Sequence, residues 1–169
     1  LVNVKGSSLD RLSDNTILLE AGPEKAVAST KAFLAKVAIL LLSAQAMNRK
    51  TPRGVIEIKQ ATRAIRKILD LKYQKYLKKL AIKFKHAHSM FVLGRGVSYP
   101  AALEAALKIK EVSYIHAEGF AAGELKHGVI ALVNQNTPCL VFAPNDETYT
   151  PLPPVCNRKF DRRWFDVIS

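Results

Sequence analysis

Between Gly94 and Gly128 the chain reads GRGVSYPAALEAALKIKEVSYIHAEGFAAGELKHG. Glu104, Lys108 and Glu111 stand at i, i+4 and i+7, so a helix would align them on one face. A loop after that helix would bring in His116, Glu118, Glu124, Lys126 and His127. Carboxylates, an ammonium and imidazoles beside a glycine-rich strand-to-helix turn suit acid–base chemistry on a small anionic substrate. Spacing alone leaves a second reading open, in which Glu104 and Lys108 are an ordinary surface pair worth a few tenths of a kcal/mol. Gly94-Arg95-Gly96 by itself is a weak phosphate signal, because many α/β turns are rich in glycine.

The elements that must hold these groups follow from periodicity. Met90–Leu93 and Cys139–Ala143 are short, fully apolar runs, and Val129–Val133 is another. Unbroken apolar strands alternating with helices predict a doubly wound parallel α/β sheet. Pro100–Ile115 predicts the helix that carries the charged face. Upstream, Leu1–Val4 and Thr16–Glu20 read as short strands around a turn at Lys5–Ser8. After Ala21-Gly22-Pro23-Glu24 a helix is expected, with Phe33, Val37, Leu40, Leu41, Ala44 and Met47 on one face. Thr51-Pro52-Arg53-Gly54 breaks it. A basic amphipathic stretch then runs from about Val55 to Lys85, as two helices. Pro151, Pro153 and Pro154 rule out a helix interior near the end.

The chain has 169 residues, 49% of them hydrophobic and 24% charged, with a net charge of +12. Its mean hydropathy of +0.02 suits a globular protein with a core and excludes disorder throughout. Between Arg49 and His88 thirteen Lys and Arg face only Glu57 and Asp70, a net +11. Beneath those charges Ile65, Ile68, Leu69, Tyr73, Tyr76, Leu77 and Leu80 recur at helical spacing. The reading taken is a solvated basic face over a packed apolar stripe; a nucleic-acid patch is the alternative. Cys139 and Cys156 make neither a disulfide framework nor a metal motif, and Cys139 reads as a small buried hydrophobe. No signal peptide or membrane span is evident, so a reduced, cytoplasmic setting is expected, with no membrane or nucleic-acid partner, no cofactor and no metal.

Two long segments resemble one family. AGPEKAVASTKAF (Ala21–Phe33) and LGRGVSYPAALEAALKIKEVSYIHAEGFAAGELKHGVIALV (Leu93–Val133) are similar to the isomerase half of the glutamine–fructose-6-phosphate aminotransferases. NVKGSSLDRLSD (Asn3–Asp14) fits the strand and turn before the first segment, so the likeness covers roughly Asn3–Asp146. The resemblance implies sugar-isomerase (SIS) modules: the end of one over residues 1–50, a helical connector over 51–88, and the start of a second over 89–146. It also implies a sugar-phosphate partner, fructose 6-phosphate or glucosamine 6-phosphate, and a homodimer. In that reaction ammonia condenses at C2 and a proton moves from C1 to C2. The resemblance places the proton shuttle on Glu111 and the ring-opening group on His127, donated across a dimer interface. Lys108 and Glu104 become neighbouring site residues. Val27, through its backbone, and Ser29 match sugar-contacting positions.

The residue types agree in part. A carboxylate beside an ammonium keeps its charge and can act as a base, and one base can serve adjacent carbons. A histidine suits ring opening near neutral pH. Ser29 and Thr30, early in a helix, could hold sugar or phosphate oxygens, although Ser29 reads equally well as a plain helix-start residue. His116 reads as a satisfied helix-end histidine, and His86 and His88 as solvent-facing.

The sequence departs from the family at both ends. The given sequence does not open on a nucleophilic cysteine, and residues 147–169 do not follow the family. A truncated or frame-shifted product is therefore expected, poorly soluble or oligomeric, with little isomerisation on its own. The alternatives are a stand-alone sugar-phosphate isomerase or deaminase of this fold, and a non-catalytic sugar-phosphate-binding module.

Overall fold

The computed structural model describes residues 1–134 and 137–144 and the backbone of 165–168. The chain divides into two compact units, Leu1–Lys79 and Leu80–Ser169. Pro151, Pro153, Pro154 and Cys156 lie outside the described residues.

In the first unit, the two expected strands shrink to a single parallel bridge between Val2 and Leu18. Val2 N–H donates to Ile17 O and Leu19 N–H to Val2 O. The polar stretch expected to be irregular forms a short helix, α1 (Ser8–Leu12). Ser7 caps it by accepting from Asp10 N–H, and the Asp10 carboxylate accepts from Gly6 N–H at 2.7 Å. This reciprocal pairing satisfies first-turn donors that sequence periodicity does not reveal.

Helix α2 (Lys31–Met47) starts later than expected, so Ser29 and Thr30 precede it. It ends at Asn48, and α3 (Thr51–Ile68) begins with Pro52 in its first turn, where the missing N–H costs nothing. The predicted break is thus real, but Thr51–Gly54 belongs to the new helix. Gly54 is where α2 and α3 touch: a Cβ there would lie 3.1 Å from Gln45 side-chain carbons. α4 (Leu71–Phe84) completes the expected pair of basic helices.

The expected packing of their apolar stripe does not occur over residues 59–79, and only Leu80 at its end is half-buried. Every residue from 59 to 79 is exposed, including Ile65, Ile68, Leu69, Tyr73, Tyr76 and Leu77. On α2, Phe33, Val37, Leu40 and Met47 are exposed as well, and Ala32 is its one buried residue.

The second unit is a parallel sheet in the order β2-β1-β3-β4, from β1 (Ser89–Gly94), β2 (His116–Ala121), β3 (Cys139–Phe142) and β4 (Phe165–Ile168). Met90, Val92 and Leu140 point to one face, where Ala102 and Ala106 of α5 (Ser98–Ser113) pack with Ala117. Phe91, Leu93, Cys139 and Val141 point to the other, against Leu125 and Val133. Both faces are covered, which explains why β1 and β3 are unbroken apolar runs.

Two elements of this unit differ in type from the sequence reading. His116–Ala121 is a strand rather than a loop, registered from Ser89↔His116 to Gly94↔Ala121. Its polar, glycine-containing sequence is organised by the neighbouring strand and not by its own propensity. Val129–Leu132 is a 3-10 turn rather than a strand.

Candidate functional site

α5 is seated by two glycines. A Cβ on Gly94 would lie 2.2 Å from the Ser98 carbonyl oxygen, and one on Gly119 would lie 2.9 Å from Leu103 Cα. Both helix and sheet backbones approach too closely for any side chain there. Gly96, with φ of +53°, turns the chain from β1 into the helix. The helix ends at Tyr114, whose left-handed backbone lets its N–H close on Lys110 O at 3.2 Å.

With Ala102 and Ala106 against the sheet, Glu104, Lys108 and Glu111 fall on the opposite side of α5. The structure brings these three together. Lys108 Nζ donates to Glu111 Oε2 at 2.6 Å and lies 3.5 Å from Glu104 Oε1. All three side chains keep only 22–26% exposure. The hydrogen bond to Glu111 is the main cause that lifts the Lys108 ammonium above its ordinary range; the charges of Glu111 and Glu104 add to it and burial opposes it. Lys108 is thus a persistent cation between two carboxylates. The cluster can bind a polar substrate through the ammonium while a carboxylate accepts a proton.

His127 is not joined to that cluster by a hydrogen bond or ion pair among the described residues. It follows a 3-10 turn (Glu124–Lys126), and its N–H donates to Glu124 O at 3.0 Å. Its side chain is exposed, as are Glu124 and Lys126. Leu125 on one side and Val133 on the other are buried in the sheet core, and Gly128 has φ of +126°. The imidazole is therefore presented outward on a short loop anchored at both ends. His116 is not a helix-end residue: it opens β2 and pairs Nε2 with Glu118 Oε1 at 2.9 Å. His86 and His88 are exposed as expected.

Val27 and Ser29 lie in the first unit, on the loop before α2. Val27 is exposed and Ser29 half-buried. Of the helix-start N–H groups expected to be free near Ser29 and Thr30, two are already taken. The Thr30 and Ala32 N–H groups already donate to Glu24 Oε1, at 3.1 and 2.9 Å. Glu24, which sequence spacing did not single out, is the cap of α2. Among the described residues no three His, Cys, Asp or Glu side chains are grouped to hold a metal ion, and no helix is long and apolar enough to cross a membrane.

Comparison with known proteins fits this arrangement. Residues 83–151, which include β1, α5, β2 and β3, match the SIS domain family model. Most of the chain is homologous to the isomerase part of the glutamine–fructose-6-phosphate aminotransferases. It is 42% identical over 157 residues to the isomerizing enzyme of Chlorobaculum tepidum, covering 90% of this chain and 26% of that protein. With the Vibrio vulnificus enzyme it shares 44% over 153 residues, covering 87% and 25%. The C-terminal domain of glucosamine-fructose-6-phosphate aminotransferase from Francisella tularensis superposes with a TM-score of 0.71 at 42% identity, over 86% of this chain and 43% of that one. A provisionally named phosphosugar isomerase from Clostridium difficile shares the fold, with a TM-score of 0.76 at 20% identity over 98% and 49% of the two chains. The chain spans about a quarter of the length of the curated relatives it matches.

Proposed function

We propose that this chain supplies sugar-phosphate-binding and proton-transfer groups for converting fructose 6-phosphate and ammonia to glucosamine 6-phosphate. The observation that carries the reading is the Glu104–Lys108–Glu111 cluster, with Lys108 Nζ 2.6 Å from Glu111. Ammonia adds at C2 and water leaves. Glu111 then takes a proton from C1 and returns it at C2, with Lys108 holding the carboxylate in place. His127 moves the proton between ring oxygen and hydroxyl as the sugar opens. Its exposure on an anchored loop supports delivery into the site of a second copy, so the working form is a homodimer. Residues 1–50 and 89–146 belong to successive SIS modules joined by 51–88, with 147–169 outside them. The sugar-phosphate substrate places the protein in the cytoplasm, and the reaction asks for no cofactor, metal, nucleic acid or membrane.

The test is uptake of solvent deuterium at C1 of fructose 6-phosphate, followed by NMR. Uptake is expected to be slow in this chain and to fall a further ~10²–10⁴-fold in Glu111→Gln, the range for losing a positioned base. Unchanged uptake in Glu111→Gln would remove the base assignment. Saturable glucosamine 6-phosphate binding without any uptake would favour the non-catalytic binding module, a reading supported by the lack of a hydrogen bond or ion pair between His127 and the cluster among the described residues.

A further inference from the structure

The loop that leads into α2 is tied at both ends by side chains. At its start Asn3 clamps the chain twice: its Nδ2 donates to Gly22 O at 2.7 Å, and its Oδ1 accepts from Ala21 N–H at 3.1 Å. At its end Glu24 folds back to accept from Thr30 and Ala32 N–H, and Lys31 Nζ donates to Pro23 O at 2.6 Å. Among the described residues, 25–29 form no backbone–backbone bond to hold their own shape. Ala28 is buried at 8% exposure, and the adjoining Val27 is thrust out at 88%. The shape of this arc therefore rests on Asn3, Glu24 and the one buried alanine.

We infer that Glu24 and Asn3 are positioning residues that pre-form the Val27–Ser29 arc as a contact edge for the neutral hydroxyl side of the sugar, with the phosphate kept away from it. This rests on the proposed sugar-phosphate function and on the family resemblance, which implies that Val27 and Ser29 contact the sugar. Two physical arguments lead to it. A loop fixed before binding does not have to be ordered by the ligand, so its contacts count more fully toward affinity. A helix N-terminus would ordinarily attract an anion, but here a carboxylate already occupies the α2 amides. Glu24 takes up the Thr30 and Ala32 amides that a phosphate would use, its charge set against that of the nearby Lys31, while the Val27 carbonyl and Ser29 hydroxyl are left open to sugar hydroxyls. Backbone hydrogen bonds from Ala32 and Thr30 hold the Glu24 carboxyl below its ordinary range, so the charge persists near neutral pH.

The experiment uses the full chain and the variants Glu24→Ala, Glu24→Gln and Asn3→Ala. Hydrogen exchange is followed over residues 21–32, and glucosamine 6-phosphate and inorganic phosphate are titrated separately. In Glu24→Ala the Thr30 and Ala32 amides should exchange at least about tenfold faster, and glucosamine 6-phosphate should bind about tenfold more weakly, the scale of a lost hydrogen bond to a charged group. Inorganic phosphate should bind equally or more tightly. Glu24→Gln, which keeps an acceptor without the charge, should recover much of the protection but not the exclusion of phosphate. Asn3→Ala should loosen residues 21–22 and weaken the sugar phosphate alone. Wild-type exchange in Glu24→Ala would overturn the inference, as would parallel losses for both ligands. If Glu24→Ala loses helix altogether, Glu24→Gln decides by the same two readouts. If the unaltered chain protects residues 24–32 as described yet binds no sugar phosphate, the sugar-contact reading fails and the positioning role stands.

Discussion

Helices α5 and α3–α4 are both amphipathic, yet they end in opposite environments. α5 offers the sheet two alanines, Ala102 and Ala106, and is closely seated because Gly94 and Gly119 leave room for its backbone. The α3–α4 stretch offers larger side chains, including Ile65, Ile68, Leu69 and Tyr73, and all of residues 59–79 stay exposed. A periodic apolar stripe therefore specifies a helix but not its burial; burial needs a complementary surface, and small residues facing glycine provide one. Charge follows the same division. On α5 the two carboxylates converge on Lys108, whereas the basic residues of α3–α4 spread along exposed helices.

The sharpest way to break this comparison is Gly94→Ala. The new Cβ would overlap the Ser98 carbonyl, which is backbone and cannot swing aside. The expected loss is about 3 kcal/mol or more of unfolding free energy, at the upper end for overpacking, read by denaturant melting. Gly119→Ala meets Leu103 Cα and a movable Leu103 side-chain carbon, so a smaller loss of about 1–3 kcal/mol is expected. At the other extreme, Ile68→Ser with Leu69→Ser should change stability by about 0.5 kcal/mol or less, because both residues are exposed. A large destabilisation from that double variant would show that the stripe is covered in solution.

The sequence was legible where local and tertiary preferences agree. MFVL and CLVF are buried on both faces, and their composition says so. The i, i+4, i+7 spacing of Glu104, Lys108 and Glu111 was enough to place them on one helix face, and they meet there. β2 was hidden because HAEGFA has little strand propensity and is ordered by pairing with β1. VIALV resembled a strand, but it forms a 3-10 turn ending beside the buried Val133. The Glu24 cap was hidden because it reaches Thr30 from six residues upstream, outside any local capping pattern. Spacing could not locate His127 relative to Glu111, since the path between them crosses β2 and a 3-10 turn.

The most direct test of the account is an NMR titration of the full chain with glucosamine 6-phosphate, following the Lys108 ammonium and the Glu111 side-chain carboxyl carbon. The account predicts saturable shifts at Lys108 and Glu111 at low ligand concentration, with the lysines of α3 and α4 shifting weakly and without saturation. Uniform, salt-sensitive shifts across Lys59, Lys67, Lys72 and Lys75 with none at Lys108 and Glu111 would contradict it, leaving α5 a structural helix and the basic region a non-specific anion attractor.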